Sequence, residues 1–174
     1  MNGLLKTRQV YFSTFTINKW ISIFIDFKET NKFILDCLQF LNIQKSVSVY
    51  SFVIMQDHIH VIWEILKHLD IKSIENSFKI NTARNIVIYL KSVDLSYLDN
   101  YFRSLRKDRH YKIWKLNSNS FHLLHPDILK VKLNYIHLNP TRGNYKSCTK
   151  AEQYLHSSAL SYKEKKYIFA FYLF

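Results

Sequence analysis

The residues best suited to chemistry fall in two short segments. The first is Asp57-His58-Ile59-His60-Val61-Ile62-Trp63. In a strand, side chains two apart leave the backbone on the same face. His58 and His60 then point one way, and Ile59, Val61, Trp63 and Ile65 point the other way, into a core. Imidazole is the commonest nitrogen ligand for metals. Two such rings can share one divalent ion if a third ligand comes from elsewhere in the chain. The same alternation sends Asp57 to the opposite face, outside the ligand set. The competing reading is a pair of ordinary exposed strand histidines.

The second segment is Asn134-Tyr135-Ile136-His137-Leu138-Asn139-Pro140-Thr141-Arg142-Gly143. On a helix, Tyr135 and Asn139 are four apart and share a face. Tyrosine can act as a covalent nucleophile where its phenolate is stabilised. A metal ion on a phosphate would polarise the phosphorus and position the attack. The Asn139 amide oxygen is a candidate ligand beside such a nucleophile. The competing reading makes Tyr135 a core aromatic beside Val131 and Leu138. His110, His122, His125, His137 and His156 have no paired spacing of the His58–His60 kind.

These groups need a scaffold. Val10 to Thr16 is rich in β-branched and aromatic residues and reads as a strand, with a second extended piece expected at Trp20 to Ile25. Glu29 to Leu41 has helical spacing of apolar residues, Cys37 among them. Residues 47–54 and 58–65 read as a hairpin. Val47, Val49, Ser51 and Val53 are expected on one face of its first strand, and Tyr50, Phe52 and Ile54 on the other. Asp70 caps a helix through Ile71, Ile74 and Phe78 that continues to Leu90 after a bend. Tyr97 to Arg106 reads as a short helix and Tyr111 to Trp114 as a short strand. Pro126 opens a last helix, which should stop near Asn139 because Pro140 disfavours helical geometry in the residue before it. The expected architecture is α+β, an antiparallel sheet covered by helices.

The chain has 174 residues and a formal net charge of +12, which favours a polyanionic partner such as nucleic acid. Lys72, Lys79, Arg84, Arg142 and Lys146 are candidate DNA-backbone contacts. Cys37 and Cys148 are too isolated for a disulfide framework or a zinc knuckle. With no signal-peptide pattern and no apolar stretch long enough to span a bilayer, the expectation is a cytoplasmic protein without a membrane partner. Residues 1–174 are expected to form a single catalytic domain. The last residues, about 163–174, are expected as a packing tail, and the apolar run Tyr167 to Phe174 within them as an edge strand, a packing tail or a dimer contact.

Taken together, the two segments resemble a known family. Ile54-Met55-Gln56-Asp57-His58-Ile59-His60-Val61-Ile62 resembles the metal-binding HUH motif (His, hydrophobic, His) of single-tyrosine transposases. Tyr135 to Gly143 resembles the tyrosine helix of the REP-associated branch. Tyr11 to Thr16 leading to Trp20 and Phe24, Lys112-Ile113-Trp114, and Tyr154 to Ala159 resemble the same branch, over roughly residues 8 to 162. The sequence departs from the pattern before His58, where relatives often carry Pro-Asn or Pro-Asp and this chain has Gln56-Asp57, and at Thr141, where an apolar residue is usual.

The resemblance implies a ferredoxin-like fold and Mg²⁺ or Mn²⁺ held by His58, His60 and Asn139. It also implies cleavage and rejoining of single-stranded DNA, or of a DNA hairpin, through a 5′-phosphotyrosine on Tyr135. Some relatives act as homodimers and others alone. A non-catalytic nucleic-acid-binding protein derived from such a transposase is the alternative. A replication-initiating nuclease is a more distant one, because the chain has no helicase segment.

Overall fold

A computed structural model describes residues 8–66, 69–107, 110–143 and 146–165. The segment Tyr167 to Phe174, expected as a tail or dimer contact, lies outside the described residues. The sheet has four antiparallel strands: β1 (Val10–Thr16), β2 (Val47–Ile54), β3 (His58–Ile65) and β4 (Asn119–His122). Their spatial order is β2-β3-β1-β4, the ferredoxin-like arrangement. The helices are α1 (Ile23–Asp26), α2 (Glu29–Ile43), α3 (Ile71–Val93), α4 (Leu95–Phe102), α5 (Pro126–Leu138) and α6 (Ala159–Glu164).

The sheet separates two cores. Ile59, Val61 and Trp63 of β3 join Phe15 of β1 and bury against Ile34 and Leu38 of α2 and Phe78 and Ile86 of α3. Each such side chain contributes about 1.5–3 kcal/mol on full burial. The opposite face carries a smaller cluster: Val10, Phe12, Val53, Met55, Ile62, Leu123, and Ile136 from α5. The strand period of two thus assigns alternate residues of β1 and β3 to different helical layers.

Several expectations need correction. Trp20 to Ile25 is not extended: a 3-10 turn (Asn18–Trp20) and α1 occupy it. The alternation of β2 breaks at a bulge between Val49 and Ser51. The extra residue keeps Val47 and Val49 in the larger core but turns Phe52 and Ile54 onto that face as well. Ser51 is therefore not on the face of Val47 and Val49. It sits with Val53 on the α5 side, where it meets His137. Helix α3 runs unbroken for 23 residues, without the expected bend, under the Asp70 cap, whose side chain accepts from Ser73 N at 3.0 Å. Tyr111 and Trp114 make only isolated bridges, to Arg103 and Ile17.

The edge strand β4 gave no sequence signal, because Asn119-Ser120-Phe121-His122 has no apolar alternation. Its backbone ladder with β1 and a set of side-chain hydrogen bonds hold it instead. The buried Glu75 of α3 accepts from Ser118 Oγ at 2.5 Å and from the hydroxyls of Ser13 and Ser120, and the Trp63 indole donates to Ser13 Oγ at 3.0 Å. Removing the carboxylate takes a partner from the buried Ser13 hydroxyl and from the half-buried ones of Ser118 and Ser120, and an unsatisfied buried group costs about 1–3 kcal/mol. Glu75→Ala is expected to lower unfolding free energy by about 2 kcal/mol or more in urea titrations. An unchanged midpoint would show that the cluster does not hold β4.

Candidate active site

His58 opens β3 and His60 follows on the same face, with ring centroids 4.8 Å apart. Each ring is oriented through Nδ1. Asp57 Oδ1 lies 2.6 Å from His58 Nδ1, and Thr14 Oγ1 of the paired strand β1 lies 2.8 Å from His60 Nδ1. A metal-binding lone pair on either ring would therefore come from Nε2. A carboxylate or hydroxyl behind a ligating imidazole fixes its tautomer and direction. The alternation argument kept Asp57 out of the ligand set. It missed that Asp57 precedes the strand, where its side chain folds back onto His58.

The histidines do not stand on an open surface. His60 is only 6% exposed, stacked on Phe12 (5.2 Å between centroids) and edge-on to Tyr135 (5.2 Å). Burial, with smaller contributions from His58 and Lys132, pushes the His60 pKa down to about 3. The ring is thus held neutral, the form that binds metal.

Tyr135 comes from α5, on the same side of the sheet. Its hydroxyl lies 3.5 Å from His60 Nε2, at the outer limit of hydrogen bonding. It is 46% exposed, so it is not the core aromatic of the competing sequence reading. Lys132, one turn earlier, places Nζ 5.4 Å from the Tyr135 ring centroid and 4.7 Å from that of Phe12. Sequence reasoning did not single out Lys132, although its i−3 spacing from Tyr135 was visible.

Asn139 follows α5 directly and is half-buried. Pro140 does not force it out of helical geometry: its φ is −53° and ψ −48°. Pro140 enters a 3-10 turn (Asn139–Thr141), where its missing N–H costs nothing. Asn139 therefore stays on the Tyr135 face, and its side-chain amide makes no hydrogen bond among the described residues. Gly143 has a left-handed backbone, φ +64°, and Ser147 N donates back to Pro140 O at 2.8 Å. Among the described residues no three His, Cys, Asp or Glu side chains converge as a cation set. Two imidazoles and an amide oxygen still suit a divalent ion that completes its shell with water or phosphate oxygen.

The basic candidates divide. Lys72, Lys79 and Arg84 lie on α3, across the sheet from the histidines, and Lys79 Nζ donates to Leu116 O at 2.8 Å. Arg142 and Lys146 are exposed just beyond the tyrosine helix.

The helix is braced from behind by residues 156–158, which bond to the outer edge of β2 through Ile54 N→His156 O (2.8 Å) and Ser158 N→Phe52 O (3.0 Å). Ser158 Oγ lies 2.9 Å from both Ser51 Oγ and His137 Nε2, and Tyr162 packs edge-on to His137. Burial lowers the His137 pKa to about 4.

The family model of IS200-like transposases matches residues 22–102. That segment, a little under half of the chain, is similar to an IS200-like transposase domain. The matched part includes His58 and His60 and ends before Tyr135, which tertiary packing brings to His60. The fold resembles that of a REP-associated tyrosine transposase solved bound to a REP hairpin. The TM-score is 0.65 at 12% identity, over 95% of this chain and 86% of that one. A proposed transposase from Deinococcus radiodurans R1 is similar over 72% of this chain and 86% of its own, with TM-score 0.51 and 11% identity. No curated protein sequence matches the chain. Among the described residues no helix is long and apolar enough to cross a membrane.

The brace behind the tyrosine helix has a pH consequence. Unfolded His137 takes up a proton below about pH 6.5, whereas the folded residue does so only near 4. The folded state thus loses stability as pH falls from 6.5 toward 4. Urea unfolding across that window should show a shallower loss in His137→Gln, by at most about 1.4 kcal/mol per pH unit for one proton. An identical slope would place the titration elsewhere.

Proposed function

We propose that this protein is a transposase that cleaves and rejoins single-stranded DNA, with Tyr135 as nucleophile. The observation that carries the reading is the Tyr135 hydroxyl 3.5 Å from His60 Nε2, in a chain whose residues 22–102 match the IS200-like family model. The half-exposed phenol releases its proton to solvent and its oxygen attacks a phosphodiester phosphorus. A phosphorus–oxygen bond to Tyr135 forms, and the bond to the 3′-oxygen breaks. That oxygen leaves as a free 3′-hydroxyl, and the 5′-phosphate stays on the tyrosine. Attack by a 3′-hydroxyl on this linkage reverses the step and joins the strands. Lys132 Nζ stands 5.4 Å from the Tyr135 ring centroid, a cation beside the attacking group. His58, His60 and Asn139 would hold Mg²⁺ or Mn²⁺, which when bound neutralises charge on the scissile phosphate and polarises its phosphorus. The hairpin bound by the REP-associated relative makes a DNA hairpin the first substrate to test.

The test combines labelled hairpin DNA carrying a single-stranded flank, protein and Mn²⁺, with denaturing electrophoresis to detect a covalent adduct. The adduct is expected with the natural chain and absent in Tyr135→Phe. An adduct persisting in that variant would remove Tyr135 from the role. Calorimetric Mn²⁺ binding should vanish in the double variant His58→Ala, His60→Ala. Tight DNA binding with no adduct on any hairpin would favour a non-catalytic binding protein.

The Asp57 contact yields a separate expectation. Removing a group that orients a ligating histidine typically costs 10–100-fold in metal affinity. Asp57→Ala should weaken Mn²⁺ binding by about that factor, with Asp57→Asn closer to the natural chain. Equal affinities in all three would exclude the orienting role.

A further inference from the structure

Trp20 differs from the other two tryptophans. Trp63 and Trp114 are buried, whereas Trp20 is 57% exposed. It ends the 3-10 turn Asn18–Trp20, in which Lys19 and Trp20 both have left-handed backbone, φ 58° and 59°. Neither is glycine, and such conformations persist only where the surroundings enforce them. A ring more than half exposed gains little from burial to offset the strain.

The turn is anchored on both sides to the approach to the histidine strand. Ile17 N donates to Asp57 O at 2.8 Å and Phe24 N to Gln56 O at 3.2 Å. Thr16, immediately before, pairs with His58. Lys115 N donates to Thr16 O at 2.9 Å, and Lys115 Nζ sits 3.3 Å from the centroid of the Trp20 ring. The strained turn therefore presents an indole and an ammonium at the end of the sheet where His58 stands.

An exposed indole with an ammonium over one face is suited to one chemical class, an unpaired nucleotide that stacks on the other face. The base stacks on the ring and its phosphate meets the ammonium. We propose that Trp20 and Lys115 form a stacking platform for an unpaired base of the DNA strand entering the His58–His60–Tyr135 site. This rests on the reading that single-stranded DNA is the substrate. It adds a contact that holds the strand by a base face rather than by sequence-reading hydrogen bonds. Trp20 is a positioning residue and takes no part in bond making.

The experiment is fluorescence titration with an oligothymidylate in EDTA, so that binding is read without cleavage. Because the other two indoles are buried, quenching should report Trp20. Natural protein should be quenched on binding. Trp20→Ala should lose the quench and bind about tenfold more weakly by anisotropy of a labelled oligonucleotide. Trp20→Phe should keep most of the affinity and Trp20→Leu should not, which separates ring stacking from apolar bulk. An abasic oligonucleotide should bind natural protein and Trp20→Ala alike. Equal affinity of all variants for oligothymidylate, or no quench on saturation of natural protein, overturns the platform. Neither result touches the Tyr135 adduct, and absence of that adduct leaves the EDTA binding result standing.

Discussion

Strand β3 has to satisfy two layers at once, and the rest of the molecule is arranged around that demand. Its odd-numbered residues, Ile59, Val61 and Trp63, are fully buried against α2 and α3. Because a strand alternates faces, its even-numbered residues must emerge together on the other side. His58 and His60 therefore sit on a backbone that cannot slip by one residue without exposing an indole and two branched aliphatics. The rigidity of the histidine pair comes from the core behind it.

The second layer is thinner and more polar. Helix α5 buries chiefly Ile136 on this face, and the remainder of its attachment is specific contact: Tyr135 on His60, and His137 between Ser51, Ser158 and Tyr162. The bulge in β2 belongs to this layer, since it turns Ser51 toward His137. A helix held by few apolar contacts and several directional ones can be placed accurately while leaving its nucleophile half exposed to substrate. The same preference for directional contacts recurs at β4, where Glu75 and serine hydroxyls hold an edge strand that has little apolar surface to bury.

Legibility in the sequence followed physical periodicity. The hairpin, α2, α3 and α5 were readable because apolar residues recur at periods of 2.0 or 3.6. The edge strand β4 and the turn at Trp20 were not, because hydrogen bonds and distant packing hold them. Alternation placed Asp57 on the face opposite His58, but alternation applies only inside a strand and Asp57 lies just before one, with Oδ1 2.6 Å from His58 Nδ1. The end of α5 was expected at the right residue for an incomplete reason: Pro140 stops the helix but leaves Asn139 helical, which keeps it on the face of Tyr135.

By itself the sequence determined which groups were available and on which face of their own element each would lie. His58 and His60 share a side of a strand, and Tyr135 and Asn139 share a side of a helix, because backbone geometry is local. Tertiary structure alone decided that the two elements meet. It brings the Tyr135 hydroxyl to His60 Nε2 across 75 residues of chain, buries His60 so that it stays neutral, and sets Thr14 and Lys132 around the pair. Those outcomes depend on contacts between segments far apart in sequence, which no local period encodes.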